Sequence, residues 1–262
     1  MSYEQKNNHF SVVLFLEVNL ATLALIFGSI KLLFPALWVS QLTASWMLIL
    51  GLFVVSQLCH AFIEYFFHRY VLHANIIPFF KHFYDAHTFH HSLTSIEQRI
   101  VTSNHFPITE EPQHESSFFP WWTVLAFSLM LTPLYIVIWL LLPTLPIFLV
   151  GYASVLFSVT LYEIFHMALH LPMSFWMRRF NSRLTGKFWR LAYTFHLRHH
   201  ANVSCNESIS GFFGIPIPDF LFGTYVQAQT LFPDQTVVPL TEYKSPQPGL
   251  FIRTLDRLLI KR

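Results

Sequence analysis

In 262 residues the chain carries 53% hydrophobic and 18% aromatic residues but only 11% charged ones, against about 25% charged in an average soluble domain. That balance all but excludes a soluble globular enzyme, and the formal net charge of +2 gives no reason to expect a nucleic-acid partner. Two cysteines, Cys59 and Cys205, provide no disulfide framework. Histidine is the unusual count, at 15 against 14 for Asp and Glu together.

From Phe10 to Phe34 the chain is apolar apart from Glu17, Asn19 and Lys31, and it stops at Pro35. At 1.5 Å per residue such a segment can cross about 30 Å of hydrocarbon. It is too long for the apolar part of a signal peptide and has no small-residue cleavage site, so it reads as a retained span. Further apolar stretches run over 44–67, 118–142 and 146–169. The last two form a hairpin about Pro143-Thr144-Leu145-Pro146, where two prolines stop helix continuation. Thr102 to Ser117 reads as a loop-like linker. The expected architecture is all-α: a four-helix transmembrane bundle under a helical cap (68–117 and 170–262), the whole chain 1–262 forming one domain.

The connectors Pro35 to Thr43 and 143–145 carry no Lys or Arg, whereas the segments beyond the other span ends do. The positive-inside rule then puts both termini and the cap in the cytoplasm, in either endoplasmic reticulum or bacterial inner membrane. Trp38, Trp46, Trp121, Trp122 and Trp176 are candidate interface anchors. Phe175 to Phe180 and Phe251 to Arg262 mix apolar and basic residues, as helices on a membrane surface or packed amphipathically on the cap both do.

Ten histidines fall into four boxes: His68-x4-His73, His87-x2-His90-His91, His166-x3-His170 and His196-x2-His199-His200. Residues at i, i+3 and i+4 share a helical face, so each HxxHH box, and His166 with His170, can point at one centre. His68 and His73 stand about 140° apart on an ideal helix, which must end or distort between them. All four boxes fall on one predicted side of the membrane. Imidazole suits iron, zinc and copper, and ten are too many for one ion, so two metal ions about one bridging position are implied. His9, His60, His82, His105 and His114 read individually as ordinary core or surface residues.

Ligating imidazoles usually donate their second N–H to a carboxylate or carbonyl. Candidate partners are Glu64, Asp85, Glu163, Glu207 and Asp219, and His60 joins them because His60, Glu64 and His68 descend one helical face. Glu64 and Glu163 would be acids near the ends of apolar spans, costly unless paired or turned inward. Pairing of Glu64 with Arg69 or Lys81 is the structural alternative.

The four boxes in this order, with an apolar hairpin between the second and third, resemble the fatty acid hydroxylase superfamily of sphingolipid fatty acyl hydroxylases, methylsterol oxidases and sterol desaturases. The resemblance covers about Glu64 to Tyr225, through EYFFHRYVLH (Glu64 to His73), LYEIFHMALH (Leu161 to His170) and DFLFGTY (Asp219 to Tyr225). It implies two iron ions, replaceable by zinc in isolated protein, held by the ten box histidines, with dioxygen as co-substrate and a membrane lipid as substrate. Asn206 to Pro218 follows the family pattern only loosely, and Phe220, not Trp, adjoins Asp219. No haem-binding segment precedes the first span, so a separate donor is expected, such as a b-type cytochrome or a ferredoxin with its reductase.

The implied activity is a di-iron monooxygenase reaction, hydroxylation of an unactivated C–H bond in a fatty acyl, sphingolipid or sterol substrate, with no catalytic side chains beyond the metal ligands. Lipid or sterol desaturation is the alternative on the same centre. A histidine-rich metal transporter or binding protein is a rival of another class. Transporters set their ligands near the bilayer midplane, whereas the third and fourth spans hold no acid, base or histidine before Glu163.

Overall fold

The computed structural model describes residues 12–96, 100–101, 106–108, 110, 113, 116–228, 236–237 and 244–260. His9, His105, His114 and most of the expected linker lie outside the described residues. Four helices are long and apolar enough to span a membrane: α1 (Val12–Leu33), α3 (Trp46–Phe67, running on to Leu72), α5 (Thr123–Leu141) and α6 (Ile147–Leu169). The expected spans overran these by a few residues, chiefly at Phe118 to Trp122, which precede α5. The connector after α1 is itself helical, α2 (Pro35–Leu42), with Pro35 at its first turn where a missing N–H costs nothing.

Helix α6 is the central element. Over half of its apolar window (56%) is buried, against 11–17% in the other three spans, and α1, α3 and α5 all pack on it. Its first N–H groups need partners, and Gln41 of α2 supplies one acceptor, its Oε1 receiving the amides of Phe148 (3.0 Å) and Leu149 (3.3 Å). At the α5 contact Gly151 leaves room for the Tyr135 ring, which a Cβ would meet at 2.7 Å. The outer faces are apolar, with Leu25, Leu32, Leu129 and Leu140 each more than half exposed, while Asn19, Gln57 and Ser154 are turned inward. That pattern inverts a soluble protein's and is the one a hydrocarbon surround favours.

The cap consists of a 3-10 turn (Pro78–Phe80), α4 (Lys81–Leu93), α7 (Met173–Phe180), α8 (Gly186–Ala201), α9 (Ile217–Phe222) and α10 (Leu250–Leu259). A two-residue antiparallel ladder, Ile100 opposite Val237 and Val101 opposite Thr236, is the one sheet among the described residues. Helix α7 packs on the cap: Trp176 and Phe180 are buried with Tyr193 of α8. Trp176 is therefore a core residue and not an interface anchor, whereas Trp46 and Trp121, at span ends, are about two-thirds exposed.

Candidate metal centre

The distortion required between His68 and His73 is a single π turn, His68–Leu72, closed by the His73 amide donating to the His68 carbonyl at 3.1 Å. A turn closing on the fifth residue brings side chains five apart to one face, and such turns recur at functional sites. His166 and His170 stand one α-helical turn apart at the end of α6. Helices α4 and α8 bring the two HxxHH boxes to the same end of the bundle.

The ten box histidines form two groups of five. In each group one ligand atom per residue lies within 4.8 Å of the others: His68, His73, His87, His91 and His199 in one, His90, His166, His170, His196 and His200 in the other. The expectation that each HxxHH box faces a single centre is corrected. The i, i+4 pair of each box serves one cluster and the i+3 residue crosses to the other, His90 leaving His87 and His91, and His199 leaving His196 and His200. At about 100° per residue, adjacent histidines diverge enough for a helix passing between two centres to serve both.

Half of the ten second nitrogens are pinned by backbone. His68 Nδ1 donates to the Glu207 carbonyl (2.5 Å), His199 to Cys205 (2.8 Å), His170 to Phe106 (2.6 Å), His166 to Ser117 (3.1 Å) and His200 to Thr94 (3.0 Å). His90 Nδ1 donates to Ser117 Oγ at 2.9 Å, because that hydroxyl gives its own proton to the Gln113 carbonyl. A carbonyl only accepts, so the proton of each of these rings sits on Nδ1 and a lone pair is left on Nε2.

In the first cluster the Nε2 atoms of His68, His73, His87, His91 and His199 approach in pairs at 2.9–3.2 Å. In the second, His196 and His170 meet at 2.9 Å, while Nε2 of His90, His166 and His200 is buried without a hydrogen-bond partner. Converging lone pairs repel unless a cation lies among them, so this donor set fits a pair of metal ions. Burial, reinforced by neighbouring imidazoles, holds His73, His87, His90, His91, His170, His196 and His200 well below the usual histidine range. Burial lowers His199 to about 4. The neutral form that ligates a metal is the form the site imposes.

Three of the carboxylates expected to partner these imidazoles, Asp219, Glu64 and Glu163, act one link further out. Asp219 accepts from the Glu207 and Ser208 amides (both 2.9 Å) and from Thr224 Oγ1 (2.7 Å), and so holds the loop whose carbonyl meets His68. Glu64 accepts from Ser210 N (2.8 Å), Ser210 Oγ (2.5 Å) and Gly211 N (3.0 Å), not from Arg69 or Lys81. Glu163 receives the Phe119 amide at 3.0 Å, beside the Ser117 that serves His90 and His166. Glu207 meets His68 Nδ1 through its backbone carbonyl, with its carboxylate 3.6 Å from the same nitrogen and receiving Arg69 at 2.8 Å.

Two candidates fall away. Asp85 pairs with Lys81 one turn back on the exposed side of α4, at 2.6 Å, because the register that turns His87 and His91 inward turns Asp85 to solvent. His60 bonds Ser158 across the bundle and touches no box histidine.

Sequence reasoning missed Thr94, Phe106, Ser117 and Cys205, which act through backbone or hydroxyl groups that no spacing singles out. It also missed Asp256 of α10. That residue receives Arg69 through two bonds (3.0 and 2.7 Å) and Tyr70 Oη at 2.8 Å. An arginine following a box histidine at the end of an apolar span was the available signal for such a partner.

A cavity runs between α3, α5 and α6 to the first cluster. It is lined mainly by apolar residues, among them Phe67, Phe127, Met130, Leu131 and Val155, and reaches His68 and Tyr162. Tyr162 stacks on Phe119 and on His166, at centroid distances of 5.3 and 5.5 Å. The protein is thus a helical one with four candidate membrane spans and two buried histidine clusters of the di-metal histidine-box kind. Comparison with protein-family models, curated proteins and solved structures yields no match.

Proposed function

We infer that the chain is a membrane-embedded di-iron monooxygenase that hydroxylates a lipid. The observation that carries this reading is the abutment of an apolar cavity between spans on the first of two adjoining clusters of five neutral imidazoles. Two iron ions held by the ten histidines would supply activation of dioxygen, one atom entering a C–H bond as hydroxyl and the other leaving as water, using two protons and two electrons from a separate donor protein.

The chain's own contribution is orientation and exclusion of water. Carbonyls of Thr94, Phe106, Ser117, Cys205 and Glu207 keep the Nδ1 protons outward and the Nε2 atoms inward. Phe67, Phe119 and Tyr162 wall the cavity beside His68, giving a lipid chain a dry approach to the cluster. The one cysteine close to the site is no nucleophile, because burial pushes the Cys205 thiol up to about 12. Both histidine-bearing spans carry their ligands at their last turns, unlike the midplane sites of transporters, and this favours catalysis over metal transport. With the positive-inside pattern, the centre and both termini belong in the cytoplasm.

Mass spectrometry of lipids from a host making the wild-type chain or His87→Ala, grown under labelled dioxygen with a donor system supplied, tests the reading. Lipids gaining one labelled oxygen only with the wild type support it. Loss of two hydrogens without label assigns desaturation instead, and identical lipids from both cells overturn the oxygenase reading.

A further inference from the structure

The cavity wall contains one polar group that the metal centre does not use. Gln57 and His60 of α3 face Ser154 and Ser158 of α6, and Gln57, His60 and Ser158 all line the cavity. Polar side chains within a span are costly and mark functional sites by default.

The direction of every proton in this group follows from one end. The Ser154 carbonyl only accepts, so the Gln57 atom facing it at 3.4 Å is the amide nitrogen, and Oε1 is the atom facing Ser158. Oε1 also only accepts, so Ser158 Oγ donates to it, at 2.8 Å. Ser158 therefore receives its second bond, at 2.9 Å, from His60 Nδ1–H. A neutral imidazole protonated at Nδ1 presents a lone pair at Nε2, and His60 Nε2 makes no hydrogen bond to the described residues. The nearby carboxylate does not compete for that role, since Glu64 already receives three donors from Ser210 and Gly211.

We propose that His60, backed by Ser158 and Gln57, is a hydrogen-bond acceptor for a hydroxyl on the lipid that fills this cavity, and thereby a specificity-determining residue. The selectivity is chemical. A hydroxyl can donate to Nε2, whereas an ether or ester oxygen in the same place would set lone pair against lone pair. Eight residues of helix separate His60 from His68, about 12 Å along the axis. The hydroxyl would accordingly be held about two helical turns from the metal-binding end of α3. This subsite rests on the oxygenase reading for the reacting carbon, but its ligand preference is independent of turnover.

The test is competition on the full chain in phosphatidylcholine nanodiscs. A diazirine-bearing fatty alcohol is photo-crosslinked to the protein, and unlabelled hexadecan-1-ol or hexadecyl methyl ether is added as competitor. One hydrogen bond gained in a dry site predicts that the alcohol competes about fivefold better than the ether. The preference is expected to vanish in His60→Phe and in Ser158→Val, so one folded variant suffices. Equal competition by alcohol and ether, no competition by either, or a preference that survives in the folded variants overturns the subsite. Iron content and oxygen consumption are read separately. A chain that prefers the alcohol but takes up no iron sinks the oxygenase reading alone; one that takes up iron and consumes oxygen without the preference sinks the subsite alone.

Discussion

The rings of His91 and His200, one from each cluster, stack at a centroid distance of 4.1 Å and an interplanar angle of 15°. The two clusters therefore share a wall built from α4 and α8. His73, by contrast, contacts only rings of its own cluster, His68, His87, His91 and His199. Elemental analysis of purified variants should separate the two positions. His73→Ala is expected to keep about one metal per chain, and His91→Ala, which also unseats His200, less than one. Equal metal content in the two variants would contradict the shared wall.

Asp219 is expected to govern metal affinity without touching an imidazole. Asp219→Asn turns an acceptor of two amides into a group that presents N–H to N–H, releasing the loop whose carbonyl orients His68. Loss of an outer partner of this kind costs about 10- to 100-fold in affinity. Competition with a chelator of known affinity measures it, and an unchanged affinity refutes the link.

Asp256 should be a stability residue. Its removal leaves Arg69, 7% exposed, with Glu207 as its remaining carboxylate and deprives Tyr70 of an acceptor. Breaking a fully buried pair costs about 3–5 kcal/mol. Asp256 is 24% exposed, so solvent screening brings the expectation for Asp256→Ala down to about 2 kcal/mol. Denaturant unfolding in mixed micelles reads this directly, with α10 losing its protection from hydrogen exchange first.

Acid should destabilise the metal-free chain from near pH 6.5 downward. The box histidines outside the spans are depressed in the folded state, His199 to about 4 and His73, His87 and His200 well below their usual value. Between about pH 6.5 and 4 the unfolded chain thus binds protons that the folded chain refuses, and stability falls as pH falls. Bound metal competes with the same protons, so the loaded protein should release metal over a lower pH range. Melting temperatures against pH, with and without metal, check both signs. A profile flat down to pH 5 in the metal-free chain would be the contrary result.

Tyr162 tests the dry approach to the first cluster. Its ring stacks on His166 and lines the cavity, while its hydroxyl takes no hydrogen bond from the described residues. Tyr162→Phe should therefore retain metal and fold normally, while Tyr162→Ala, which opens the wall to water, should lose about tenfold or more in turnover, a misplaced substrate being that costly. Oxygen consumption uncoupled from lipid product in the alanine variant is the signature to look for.

Composition and spacing by themselves determined the four spans, the ten converging histidines and the need for a broken turn between His68 and His73. These follow from helix rise, helix period and the cost of polar groups in hydrocarbon, which act residue by residue along the chain. Tertiary structure alone decided that His90 and His199 change clusters, because the helical period fixes the angle between neighbours but not where two centres lie beside the helix. It decided equally that carbonyls of Thr94, Phe106, Ser117, Cys205 and Glu207, and not the carboxylates of Asp85 or Glu163, hold the imidazoles. Every residue carries a carbonyl, so a sequence cannot mark the few that the fold turns toward a ring.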